Sequence, residues 1–68
     1  PIPMVSEAVP GDSDLLGYVM LKAAEIAEEE GYARKFRLVI NNGAEVGQTV
    51  FHIHVHLLGG RDFSWPPG

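Results

Sequence analysis

The sequence predicts an α+β domain, and three observations carry that prediction. One apolar pattern with helical spacing runs over roughly residues 13 to 30, and apolar runs with a period of two follow at 36–40 and 49–58. Clusters of Gly, Pro and Asn separate these segments.

Residues 1–11 contain Pro1, Pro3 and Pro10 and close on Gly11, which allows at best a short edge strand around Met4 to Ser6. Asp12 and Ser13 offer side-chain oxygens as N-caps. Leu15, Leu16, Val19, Met20, Ala23, Ile26 and Ala27 then recur every three or four residues until Gly31 ends the pattern. Glu28, Glu29 and Glu30 crowd the negative pole of this helix, where an acid costs ~0.3 kcal/mol or more. They read as a solvated face, with Arg34 and Lys35 just downstream as compensation. Phe36, Leu38 and Ile40 alternate with Arg37 and Val39 as a strand, and Asn41-Asn42-Gly43 starts a turn, because Asn and Gly tolerate positive φ. A loop through Gly47 leads into a second strand, which Gly59-Gly60 ends. The tail from Arg61, with Pro66 and Pro67 near its end, suits neither a helix nor a central strand, and its Trp65 has no local partner.

At 68 residues the chain is at most one domain. A chain of this size hides only about 60% of the surface its unfolded form exposes, so association with another chain is the expected support. Without cysteine it has neither a disulfide framework nor a thiolate metal site. The net charge of −4 and five scattered basic residues argue against a nucleic-acid partner. No apolar stretch approaches the ~20 residues of a membrane helix, and the opening residues lack the basic and long apolar regions of a signal peptide. The chain therefore reads as soluble and cytoplasmic, with no membrane partner.

Chemistry is concentrated in Thr49-Val-Phe-His-Ile-His-Val-His-Leu-Leu. On a strand, Val50, His52, His54, His56 and Leu58 share one face while Phe51, Ile53, Val55 and Leu57 share the other. One face can pack on a core while the other meets a ligand. Adjacent histidines of this row lie ~6.6 Å apart at Cβ, close enough to share an ion, but the outer pair would be ~13 Å apart, too far for both to reach one metal. No metal or cofactor is expected, although zinc stays open as a minor reading. Three imidazoles without a role would forfeit apolar burial on a chain with little to spare. Nucleophilic and acid-base work suits them better: neutral imidazole attacks phosphorus, and neighbouring rings resist simultaneous protonation. The loop directly before them supplies Gly47 for close approach and Gln48 and Thr49 as side-chain donors for an anion.

His52-Ile-His-Val-His-Leu-Leu resembles the His-φ-His-φ-His-φ-φ signature of the histidine triad (HIT) superfamily, φ being apolar. The stretch from Phe36 through Arg61 and the ending Trp65-Pro-Pro-Gly are similar to its Hint branch, the histidine triad nucleotide-binding proteins. The resemblance implies an antiparallel sheet with one main amphipathic helix, and residues 1–68 as the C-terminal portion of a single HIT domain without the family's N-terminal helix and strands. It also implies a homodimer and a hydrolase of purine nucleoside phosphoramidates and aminoacyl adenylates that acts on AMP- or GMP-like nucleotides through a nucleotidyl-histidine intermediate. By the motif, His54 is the nucleophile, His52 orients it, and His56 contacts the phosphate or supports proton transfer. Asn41, Gly47, Gln48 and Thr49 hold the phosphate and leaving group, and Trp65 shapes the dimer and the substrate site. The family commonly has Ser where Thr49 stands, which keeps the hydroxyl. A non-catalytic nucleotide- or phosphate-binding regulatory module is the alternative reading.

Overall fold

The computed structural model describes residues 2–67. Its main elements are one helix, α1 (Ser13–Glu29), and a two-stranded antiparallel sheet of β1 (Phe36–Val39) and β2 (His56–Gly59). Single 3₁₀ turns at Val5–Glu7, Pro10–Asp12 and Ala44–Val46 punctuate the connections. The first of these replaces the expected edge strand around Met4 to Ser6. There the backbone bonds to itself, from the Glu7 N–H to the Met4 carbonyl (3.1 Å) and from the Ala8 N–H to the Val5 carbonyl (3.0 Å).

Helix α1 starts one residue after Asp12, whose carboxylate accepts from the Val9 N–H (2.9 Å) and so fixes the turn that leads in. The helix stops where Gly31 takes a φ of 89°. The Tyr32 N–H reaches back to the Ala27 carbonyl (2.7 Å) and the Gly31 N–H to that of Glu28 (3.1 Å), a Schellman arrangement that satisfies carbonyls the helix would otherwise leave open. This closure aims the Tyr32 ring at Gly59 on β2. A methyl group there would stand 2.7 Å from the ring, so only glycine lets the ring seat.

The sheet register pairs Phe36 with Gly59, Arg37 with Leu58, Leu38 with Leu57 and Val39 with His56. Helix α1 lies on one face of the sheet: Ile53 and Val55 flank cavities whose other walls include Leu15, Leu16, Val19, Ala23 and Ile26. The two deeply buried apolar residues of the described chain are Ala23 and Ala27, small side chains that let helix and sheet approach closely. The expected second strand is shortened. The alternating segment from Thr49 onward pairs only from His56 to Gly59, because β1 ends at Val39 and the chain then turns away at Asn41. Upstream of this pairing, the Ile53 N–H donates to the carbonyl of Ile2 (2.9 Å), so the opening segment lies beside the histidines.

Candidate active site

Although pairing starts only at His56, the two-sided character of the histidine segment persists. His52, His54 and His56 are exposed, while the alternating Ile53, Val55 and Leu57 are half-buried. The three imidazoles line one cavity of about 150 Å³ together with Asn41, Gly47, Gln48, Thr49 and Val50. Every residue expected from the sequence to work on the phosphate therefore borders this space. Trp65 lies outside this lining, on the tail.

The loop that closes the cavity is shaped by two glycines and one buried amide. Gly43 (φ 102°) and Gly47 (φ 106°) flank the Ala44–Val46 turn in conformations that L-residues with a Cβ rarely adopt. At Gly47 an added Cβ would also stand 3.5 Å from the Asn41 amide. Gln48 is 6% exposed. Its Oε1 accepts from the Gly43 N–H (2.7 Å), and its Nε2 donates to the carbonyls of Pro3 (2.5 Å) and Val50 (3.3 Å). An amide nitrogen has two protons, and both are engaged. The Gln48 side chain thus ties the loop to the opening segment instead of presenting a free donor to the cavity. Its backbone N–H is engaged as well, on the Gly43 carbonyl (3.1 Å). No local signal in the sequence distinguishes this role, since a glutamine after a glycine suits either one.

His54 has the best-defined ring of the three. Its Nδ1 lies 2.7 Å from the carbonyl oxygen of His52. A carbonyl only accepts, so Nδ1 carries the proton and Nε2 of the neutral ring bears the lone pair. A neighbouring backbone group therefore sets the tautomer of the central histidine and leaves its outer nitrogen free to act as a nucleophile or base. Among the described residues, no group of three or more His, Cys, Asp or Glu side chains is placed to hold a metal ion.

An α+β arrangement that presents alternating histidines over a glycine-shaped loop is the architecture of the HIT domain, whose family model matches residues 1–63; the chain belongs to this family. A HIT family hydrolase from Legionella pneumophila superposes with a TM-score of 0.93 at 43% identity, over 98% of this chain and 61% of that one. An uncharacterized HIT-like protein of Synechocystis is 65% identical over 68 residues, which are 100% of this chain and 60% of that protein. The Arabidopsis thaliana adenylylsulfatase HINT1 is 46% identical over 98% of this chain and 50% of its own length. A Brassica juncea protein described as a 14 kDa zinc-binding protein is 51% identical over 81% of this chain and 49% of its own. The chain thus spans 49% to 60% of the length of these curated relatives.

Proposed function

We propose that the protein is a nucleotidyl hydrolase that cleaves nucleoside phosphoramidates and acyl adenylates through a histidine-bound nucleotide. The observation that supports this reading is the contact of His54 Nδ1 with the His52 carbonyl, which leaves Nε2 available as a nucleophile on a side chain that lines the cavity. Nε2 attacks the α-phosphorus, the bond from phosphorus to the leaving nitrogen or oxygen breaks, and the leaving group departs with a proton supplied by His56 or solvent. Water then attacks the phosphorus and gives a proton to His56 or solvent, the bond from phosphorus to Nε2 breaks with its electron pair returning to the ring, and the nucleoside monophosphate leaves. In this scheme His52 supplies the orienting carbonyl. Asn41 and Thr49 bring polar side chains to the phosphate, Gly47 lets the backbone approach, and Gln48 keeps the loop in shape. Related proteins support the class: one is a HIT family hydrolase, and another is named an adenylylsulfatase. The reading extends to a purine nucleotide as ligand and a homodimer as the working form.

Quenching a turnover reaction of labelled adenylate in alkali, where phosphohistidine persists, places the label on the peptide holding His54. Label on His52 or His56 refutes the assignment. Nucleotide binding with no label at all supports the regulatory-module reading instead. The Brassica relative is named for zinc; among the described residues no group of three or more His, Cys, Asp or Glu side chains is placed to hold a metal ion, and stoichiometric metal in protein purified without tags would favour the zinc reading.

A further inference from the structure

The loop that shapes the histidine cavity carries a dipeptide with chemistry of its own. Asn42-Gly43 lies between β1 and the Ala44–Val46 turn, and no other asparagine or aspartate of the chain precedes a glycine. Asparagine is thermally labile because the next backbone nitrogen can close a ring on its side-chain carbonyl carbon, and a glycine in that next position leaves the approach free of a Cβ. Asn42 is exposed, so water and base reach it. Nothing lies within 4 Å of where a Cβ on Gly43 would stand, so no packed group screens its side of the bond. Two hydrogen bonds hold the reacting groups instead. The Gly43 N–H donates to Gln48 Oε1 (2.7 Å), and Asn42 Oδ1 accepts from the Ser6 N–H (2.9 Å), 36 residues upstream.

We propose that Asn42 is a self-modification site at which the loop ages into an isoaspartyl form, and that the bonds from Gly43 to Gln48 and from Ser6 to Asn42 set the rate. The Gly43 N–H gives its proton to a solvent base, and its nitrogen attacks Cγ of Asn42. The bond from Cγ to Nδ2 breaks, Nδ2 leaves as ammonia with a proton from water, and a cyclic imide remains. Water then opens the imide: attack at the side-chain carbonyl gives aspartate, and attack at the backbone carbonyl gives isoaspartate. The second product runs the chain through Cβ and Cγ, one atom longer, and leaves the α-carboxylate as a new negative charge. The extra atom falls where the Gly43 N–H meets Gln48, in the loop that brings Gly47, Gln48 and Thr49 to the cavity. Conversion therefore loosens the phosphate cradle. That consequence rests on the hydrolase reading above; the modification itself does not.

The test incubates the full chain at mildly alkaline pH, folded and unfolded in guanidinium chloride, and follows residue 42 by peptide mapping with mass spectrometry. Aspartyl and isoaspartyl products form at residue 42 in both, and the folded chain converts about thirtyfold more slowly, the scale of two hydrogen bonds that must open first. Equal rates overturn the gate. A folded chain that converts at no residue, or at Asn41 first, overturns the site. Gln48→Leu, its helix content checked by circular dichroism, removes one bond and speeds conversion about fivefold; an unchanged rate overturns the gate. If that variant does not fold, exchange of the Gly43 amide proton in the unaltered chain takes its place, slow exchange being expected and free exchange overturning the gate. The purified isoaspartyl form is then titrated with AMP by calorimetry. Its affinity falls about tenfold, the scale of one hydrogen bond to a charged group. Asn42→Asp, which adds the charge without the extra atom, stays within about twofold of the unaltered chain, as a solvent-screened charge does. An unchanged isoaspartyl affinity, or an equal loss in Asn42→Asp, overturns the effect on the cavity. AMP binding to neither form removes the nucleotide reading and that effect with it, while the peptide map still decides the modification.

Discussion

At the scale of single residues, the site depends on two side chains whose work differs in kind. His54 acts on the substrate by the proposed mechanism, so His54→Ala lowers turnover about 10⁴-fold or more while a non-hydrolysable nucleotide still binds; calorimetry and single-turnover kinetics separate the two. Gln48 acts on the protein. Its three hydrogen bonds join Gly43, Val50 and Pro3 around the cavity. Gln48→Ala leaves those groups unsatisfied and costs about 2 kcal/mol in denaturant unfolding. Gln48→Glu costs at least as much, because a carboxylate faces the Pro3 and Val50 carbonyls with no proton to give. The histidine row is legible in the sequence, since a period of two needs only the alternation of a strand. The role of Gln48 is not: its partners lie 45 residues upstream as well as nearby, and no local pattern encodes such a contact. The hydrogen bond from Arg37 to the Ser64 carbonyl is hidden for the same reason, its partner being 27 residues away.

At the scale of elements, the helix is legible almost to the residue, as 13–30 against the observed Ser13–Glu29. Its apolar spacing and its Gly31 stop are both local signals. The strands are less so, because a strand is defined by its partner. The alternation of residues 49–58 predicts ten residues of strand, yet pairing lasts only as far as β1 runs alongside. Two substitutions test how the elements are held. Gly17 lies inside α1, and a methyl group added there would meet nothing within 4 Å, so Gly17→Ala raises stability by about 0.5–1 kcal/mol, seen as a higher melting temperature. Gly59→Ala has the opposite sign. The methyl collides with the Tyr32 ring and costs ~1–3 kcal/mol, and Tyr32→Leu relieves part of that cost in a double-mutant cycle.

At the scale of the whole molecule, the core is thin. Among the described residues Ala23 and Ala27 are its deeply buried apolar members, while Leu15, Tyr18, Leu21, Val46, Val50 and Phe51 are exposed. The radius of gyration is 13.1 Å, against about 11 Å expected for a compact chain of this length. Such a shape leaves apolar surface for another chain to cover. Sedimentation equilibrium is therefore expected to give a mass above 7.4 kDa, and the unfolding midpoint to rise with protein concentration. A concentration-independent midpoint at the monomer mass would show that the chain stands alone. The thin core is legible from chain length, because surface outgrows volume in small domains. Which faces stay open is not, since that depends on how the helix and sheet meet.

The contact between Ile53 and Ile2 has a consequence for amide exchange. The Ile53 amide should hold its proton against deuterium far longer than the amides on either side of it, although it belongs to no strand. That one slow signal would then serve as a gauge of whether the first residues are docked, and its loss on warming would precede any change in the amides of the sheet.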